Sequence, residues 1–284
     1  MDMVSFTGDT ATGRRVLEQV SKNVKKVALE LGGKAPLVVL EDADLERTAH
    51  GIVNSSFGCA GQRCMALPVI VAQESIADKL VSLLTECAGK LMSGPAYARS
   101  SDLGPVVTEG QRQFIRGWIE KGINEGAKLV LDGRNISVKE YEEGFYLGPM
   151  IFDHVTSDMS IGNEEIFGPV ICVKRVKDFA EGLKIMNANR FANGSVVFTQ
   201  SGYYSREFSR RTHGGMVGIN VGIPVPVGIF PFTGHKESFF GDLHTLGRDG
   251  VRFYTETKAV TTRWFDKEDI SKQKIDTWDG TIVK

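Results

Sequence analysis

The sequence predicts an α/β protein, a mostly parallel sheet with helices packed on its faces. Strand-like apolar runs alternate with stretches of helical periodicity from the first residues to about residue 221, the pattern of strand–helix–strand units. Glycine is abundant, 32 of 284 residues, and gathers at strand ends and turns, where loops of such a sheet come close to a ligand. A composition of 42% hydrophobic and 24% charged residues is that of an ordinary globular chain, long enough to bury a large core.

The elements follow in order. Met3-Val4-Ser5-Phe6 reads as a strand and Thr7-Gly8-Asp9-Thr10 as a turn. A helix then runs to about Val24, with Val16, Leu17, Val20 and Val24 at helical spacing. Val27 to Leu31 and Pro36 to Leu40 are the next strands. Asp44 is placed to cap a helix that carries Leu45, Ala49, Ile52 and Val53 on one face. Val69-Ile70-Val71 and Lys128 to Leu131 are strands separated by helices over Ile76 to Leu91 and Thr108 to Glu125. Strands at Val170 to Val176, Val196 to Thr199 and Val217 to Val221 enclose helices near Phe179 to Ala188 and Tyr204 to Arg211. From Asp266 onward apolar periodicity fades into a polar tail. An α/β domain does not usually start in a strand that ends on a phosphate-type loop, so the opening reads as the later part of a nucleotide-binding sheet.

Charge and cysteine usage exclude several classes. A net charge of −1, from 34 basic and 35 acidic residues, gives no electrostatic attraction to nucleic acid or an anionic membrane. No apolar run reaches the roughly 18 residues of a membrane helix, and the first residues lack the pattern of a secretory signal. Cys59, Cys64, Cys87 and Cys172 have no paired spacing, which suits a reducing compartment, the cytoplasm or a mitochondrial matrix. Cys59, Cys87 and Cys172 read as small buried hydrophobes. The Asn-x-Ser patterns at Asn54, Asn135 and Asn193 lack secretory context and recur by chance. His50, His154, His213, His235 and His244 are too scattered for a metal site, and none is expected.

Four segments carry chemistry. In Gly61-Gln62-Arg63-Cys64 a small-residue loop, Gly58-Cys59-Ala60-Gly61, leads to a cysteine beside an arginine. A fixed cation beside a thiol would stabilise its thiolate and make Cys64 a nucleophile. Glu30 stands in the apolar segment Val27-Ala28-Leu29-Glu30-Leu31 ahead of Gly32-Gly33. A solvent-facing edge residue is the plain reading, whereas a desolvated carboxylate would be a general base near neutral pH. Gly8 and Gly13 flank a strand-to-helix turn whose free N–H groups can face an anion. Arg14-Arg15 replace the Lys-Ser/Thr of a P-loop, so the turn is equally a simple helix cap. Glu164-Glu165-Ile166-Phe167-Gly168-Pro169 is either a solvated loop or a carboxylate for ribose hydroxyls with an aromatic beside a flat ring.

Together these segments resemble the aldehyde dehydrogenase superfamily. The matching pieces are Phe6-Thr7-Gly8 with Gly13, Glu30-Leu31-Gly32-Gly33-Lys34, Gly61-Gln62-Arg63-Cys64, Glu165-Ile166-Phe167-Gly168-Pro169 and Asn220. Within it, Phe57-Gly58-Cys59-Ala60-Gly61-Gln62-Arg63-Cys64-Met65-Ala66, Asp132-Gly133-Arg134, Pro224-Val225-Pro226 and Ser238-Phe239-Phe240-Gly241-Asp242 look most like the methylmalonate-semialdehyde dehydrogenase subgroup. The resemblance implies a fold with a C-terminal remnant of a Rossmann-like NAD-binding domain over 1–31, a catalytic domain over 32–236 and a return to the cofactor domain over 237–253. An oligomerisation strand over 254–266 and a polar tail over 267–284 would follow. It implies NAD-dependent oxidation of a carboxylated aldehyde through a thioester on Cys64, with coenzyme A or water as acyl acceptor, in a homo-oligomer (dimer or tetramer). Cys64 and Glu30 would be catalytic, Arg63 would hold the substrate carboxylate, and Gly8, Asp9, Gly13, Leu31, Glu165 and Phe167 would contact NAD.

Three departures stand out. The subgroup usually lacks a glutamate at the position of Glu30. Asp9 replaces a serine that commonly faces the pyrophosphate, and an acid there repels phosphate unless turned away. The resemblance covers rather more than the C-terminal half of a family member, without the half that supplies most of the dinucleotide sheet. The alternatives are a hydrolytic enzyme for other semialdehydes, or a non-catalytic fragment that forms only an interaction module.

Overall fold

The structure, a computed structural model, describes residues 1–262 and 264. The chain begins with β1 (Met3–Thr7), α1 (Thr10–Ser21), β2 (Lys26–Glu30), β3 (Pro36–Val39), α2 (Leu45–Phe57), β4 (Val69–Gln73) and α3 (Glu74–Gly89). It continues with α4 (Glu109–Asn124), β5 (Lys128–Leu131), β6 (Met150–Asp153), β7 (Val170–Val176), α5 (Phe179–Ala188), β8 (Phe191–Ala192) and β9 (Gly194–Phe198). It closes with α6 (Gly202–Arg211), β10 (Met216–Ile219), β11 (His235–Lys236), β12 (Phe239–Gly241) and α7 (Gly247–Phe253). Met1–Tyr254 forms one compact unit.

A seven-stranded sheet runs in the order β10-β9-β3-β4-β7-β6-β5. Every neighbouring pair in it is parallel except β5 with β6. Period-2 alternation sorts its central strands between two cores. Leu37, Val39, Ile70 and Ala72 face a cluster with Ile52, Phe57, Leu80, Leu84, Ile115 and Ile119 of α2, α3 and α4. Val38, Val69 and Val71 face Phe179, Leu183, Met186 and Phe208 of α5 and α6. A sheet covered on both faces needs apolar side chains in both directions, which is why Pro36–Val39 is buried at every position. A second sheet, β1-β2-β12, pairs β1 with β2 in parallel and β12 with β2 antiparallel. β8 and β11 form a short antiparallel ladder.

Several boundaries differ from the sequence reading. α1 stops at Ser21, because Val24 adopts a left-handed backbone (φ 51°) and is 93% exposed despite its helical spacing. The strand expected to reach Val221 ends at Ile219, where Asn220 turns left-handed (φ 55°). β6 was not anticipated, since its four residues are all buried and show no alternation. β8, β11 and β12 are too short for any period to register.

No strand forms over the described part of 254–266, and the polar tail 267–284 lies outside the described residues. A strand is made by its ladder, and one that pairs across an oligomer has no neighbour in a single chain. Cys172 is buried as expected, but Cys59 is exposed and Cys87 half-buried. Cys59 sits in a turn that leads out of α2, not in an element packed against the core.

Candidate active site

The loop between β2 and β3 runs from the C-terminal end of the small sheet to the N-terminal end of the large one. Glu30 is the last residue of β2, and the loop carries Leu31, Gly32 and Gly33. Cys64 lies on the loop entering β4, and Glu165 on the loop entering β7, two strands that pair with each other. Thr7 and Gly8 close β1, and Asp9 opens α1. A cavity of about 740 Å³ opens where these loops meet. Of the residues singled out from sequence, Gly8, Asp9, Leu31, Arg63, Cys64, Glu165 and Phe167 line it.

Cys64 is held up by an unusual backbone. Cys59, Ala60 and Gly61 are successive residues in the left-handed region (φ 55°, 53° and 69°), which reverses the chain after α2. Gly61 has no alternative there, since a Cβ would lie 2.1 Å from the carbonyl oxygen of Gly168. The same packing puts Gly33 against Cys64, with a Cβ on Gly33 falling 2.3 Å from the Cys64 carbonyl oxygen. Gly33 is thus explained as a close approach of one backbone to another, and Gly32 as room for the Glu165 carboxylate, whose Oε2 a Cβ would meet at 2.5 Å.

Arg63 departs from its expected part in activating the thiol. One guanidinium nitrogen donates to the carbonyls of Asn54 and Ser55, each at 2.9 Å, so Arg63 neutralises carbonyls at the C-terminal end of α2. Gly58 leaves room for it, as a Cβ there would meet the Arg63 guanidinium at 2.2 Å. The Cys64 thiol is raised above its ordinary value, first by burial, then by the negative charges of Glu30 and Glu165. Hydrogen bonds from the Cys64 and Met65 N–H groups offset these only in part, so the thiol keeps its proton at neutral pH. Arg63 Nε remains buried without a hydrogen-bond partner.

Glu30 is not an edge residue facing solvent. It is 6% exposed, pairs with Phe239 of β12 across the ladder, and both carboxylate oxygens lack a partner. Burial raises its pKa from 4.5 to about 7, the range of a general base that works near neutrality. Glu165 accepts a 2.8 Å hydrogen bond from the Gly33 N–H. Burial raises its pKa, while that bond and the charges of Lys34 and Arg190 pull it back. Phe167 is 40% exposed on a left-handed backbone (φ 56°), with its ring at the cavity wall.

The glycine turn serves packing and capping. Gly13 does not line the cavity; a Cβ on it would lie 2.3 Å from Leu31 Cδ2, so it lets α1 sit down on the loop after β2. Asp9 turns onto its own helix and accepts a 3.0 Å bond from the Thr12 N–H, which lowers its pKa. Its carboxylate therefore occupies part of the helix terminus where a phosphate would bind.

Gln62, Met65, Gln111, Phe114, Val225 and Phe232 complete the wall. Gln111, Phe114 and Phe232 lie far from the other lining residues along the chain and belong to no motif, so no sequence signal marks them. Asn220 is structural: its amide bonds both backbone groups of Thr199, at 2.9 and 2.8 Å. Among the described residues no group of three or more His, Cys, Asp or Glu could hold a metal ion. No helix among them is long and apolar enough to cross a membrane.

A thiol and a buried carboxylate beside a helix terminus, set between two mixed sheets, make an α/β architecture suited to covalent thiol chemistry next to a nucleotide. The chain belongs to the aldehyde dehydrogenase family, whose model matches residues 1–260. It is 42% identical over 265 residues to malonate-semialdehyde dehydrogenase 1 of Oceanobacillus iheyensis, covering 93% of this chain and 54% of that protein. It is 44% identical over 262 residues to malonate-semialdehyde dehydrogenase 3 of Bacillus cereus, covering 92% and 53%. The methylmalonate-semialdehyde dehydrogenase structure from Oceanimonas doudoroffii superposes with a TM-score of 0.92 at 40% identity, over 94% of this chain and 55% of that one. A Sinorhizobium meliloti structure solved with NAD, provisionally called a methylmalonate-semialdehyde dehydrogenase, gives 0.92 at 40% identity, over 94% and 54%. The chain spans about half the length of the relatives it matches.

Proposed function

We propose that this chain carries the thiol site of an NAD-dependent dehydrogenase for malonate or methylmalonate semialdehyde. The observation that carries the reading is the cavity in which Cys64, Glu165, Phe167, Leu31 and Gly8 meet, with Glu30 buried outside its lining and acting on Cys64 by its charge. The names of the relatives support the substrate class, and the neighbour solved with NAD supports the cofactor.

The residues present fit the nicotinamide end of NAD, with an apolar wall of Phe114, Phe167 and Phe232 and the Glu165 carboxylate for ribose hydroxyls. They fit the pyrophosphate less well, because Asp9 caps α1. When bound, NAD supplies the hydride acceptor. Cys64 begins protonated, so Glu30 takes its proton and the thiolate adds to the aldehyde carbon. The oxyanion is held partly by the Cys64 backbone N–H. Loss of hydride from that carbon leaves a thioester on Cys64. Once Glu30 has released that proton to solvent it deprotonates water, or the coenzyme A thiol gives its proton to solvent; either nucleophile takes the acyl group and expels the Cys64 thiolate. Arg63 meets the substrate carboxylate with the nitrogens that α2 leaves unbonded. The enzyme works as a homo-oligomer.

NADH formation from malonate semialdehyde, followed by absorbance with and without coenzyme A, tests the reading. A rate indifferent to coenzyme A removes the acylating version. Cys64→Ala is expected to abolish NADH formation, and retained turnover rejects Cys64 as nucleophile. Calorimetric titration with NAD separates this reading from a non-catalytic fragment, which would show no heat of binding.

A further inference from the structure

Asn193 has no place in the chemistry above, and its Asn-x-Ser context gave it no site. It follows β8 directly and is 1% exposed. Its amide nitrogen donates to three carbonyls: Gly32 at 3.3 Å, Cys64 at 3.4 Å and Leu31 at 3.5 Å. Two of these belong to the loop that follows Glu30, and the third is the nucleophile's own carbonyl. The amide cannot reverse, since that would aim its oxygen at three carbonyl oxygens.

The surroundings fix Asn193 firmly. The Met216 N–H donates to its carbonyl at 2.9 Å, and the preceding Ala192 N–H donates to Ser238 Oγ at 3.0 Å. A Cβ on Gly33 would lie 3.0 Å from Asn193 Nδ2, and one on Gly234 would lie 2.9 Å from Oδ1. Asn193 Oδ1 is buried with no hydrogen-bond partner, so the donor side alone justifies a polar residue in this position. Asn193 does not line the cavity; whatever it does for the site passes through backbone carbonyls.

We propose that Asn193 is a positioning residue that clamps the Cys64 loop to the Glu30 loop and so fixes the electrostatic coupling of thiol and acid. The attraction or repulsion of two groups falls with their separation and is steep where water is excluded. Small relative motion of two glycine-rich loops would therefore change how strongly Glu30 acts on Cys64. The charged groups that act on Cys64 are Glu30 and Glu165. Glu165 is bonded to the Gly33 N–H of the same loop and is kept in every form compared below, so that Glu30→Gln isolates the part due to Glu30. The inference concerns the pair used in the proposed reaction, but its test needs neither aldehyde nor cofactor. Failure of the dehydrogenase reading and failure of the clamp are thus separate outcomes.

The test is the rate of Cys64 alkylation by iodoacetamide at pH 8, read by peptide mass spectrometry, with exposed Cys59 as internal reference. Four forms are compared: the unmodified chain, Glu30→Gln, Asn193→Leu and the double variant. Glu30→Gln is expected to speed Cys64 alkylation about fivefold in the unmodified chain and less than about twofold beside Asn193→Leu, an ordinary coupling for sites linked through a shared hydrogen-bond network. Equal acceleration in both backgrounds overturns the proposal, as does no acceleration in either. Asn193→Ala is run in parallel. If neither Asn193 variant gives a cooperative melt, the residue serves folding alone and the proposal falls.

Discussion

With both carboxylate oxygens buried and unpartnered, Glu30 holds its proton in the folded chain up to about pH 7. In the unfolded chain it loses that proton near 4.5, so between these values the native state binds more protons than the unfolded one. Stability from this group is full below about pH 4.5 and is lost as pH rises through about 7. Glu30→Gln removes the titration. Urea midpoints measured from pH 4.5 to 8 are expected to show the variant gaining on the unmodified chain as pH rises; parallel profiles would refute the assignment. The sequence made Glu30 conspicuous because one acid in an apolar strand violates the local pattern. Arg63 misled, because adjacency in sequence does not say where a long side chain goes. Its guanidinium reaches back to the carbonyls of α2, a destination visible only once the left-handed turn at residues 59–61 is built.

Helix caps and turns decide what the loops between elements can do. Asp9 caps α1 through Thr12, and serine caps about as well while carrying no charge. Asp9→Ser is therefore expected to leave the melting temperature nearly unchanged and to tighten NAD binding about fivefold, roughly the 1 kcal/mol of one solvated like-charge contact. Calorimetry reads both affinities, and an unchanged affinity would mean that the helix terminus does not face the pyrophosphate. Gly61→Ala places a Cβ against the Gly168 carbonyl on a left-handed backbone, at a cost of about 1–3 kcal/mol. A depressed urea midpoint is the expected result, and an unchanged one would show that the turn relaxes freely. Apart from β6, the strands of the large sheet and the helices on it were legible from their apolar runs and helical periods. Val170–Val176 and Phe179–Ala188 match the sequence reading at both ends. The site was legible only as separate motifs. The loops bearing them enter β3, β4 and β7, neighbours in the sheet order but widely separated along the chain.

At the scale of the molecule, ligands of parallel sheets sit beyond the C-terminal ends of strands, and here only the small sheet obeys. Gly8 and Glu30 lie at C-terminal ends of β1 and β2, whereas Cys64 and Glu165 precede the N-terminal ends of β4 and β7. In the proposed reading the cofactor side and the thiol side thus come from two sheets that share one connecting loop. The outer flank of the large sheet is β10, whose Val217 and Ile219 are 39% and 38% exposed beside Val221 at 46%. An apolar edge of this kind suits pairing with a second copy. Ile219→Lys is expected to shift the proposed homo-oligomer toward monomer in sedimentation velocity, and an unchanged distribution would place the contact elsewhere.

The missing side chain of Gly33 has one more consequence. The carbonyl oxygen of Cys64 lies 2.3 Å from where a Cβ would be, so a shift of the nucleophile loop toward Gly33 must move the Gly32-Gly33 backbone as well. The Gly33 N–H bonded to Glu165 and the Gly32 N–H, which donates to Thr10 Oγ1 at 3.3 Å, are then remote indicators of the state of the thiol. Deuterium uptake at these two amides would report covalent capture of Cys64, with no label on the sulfur and no optical signal from a cofactor.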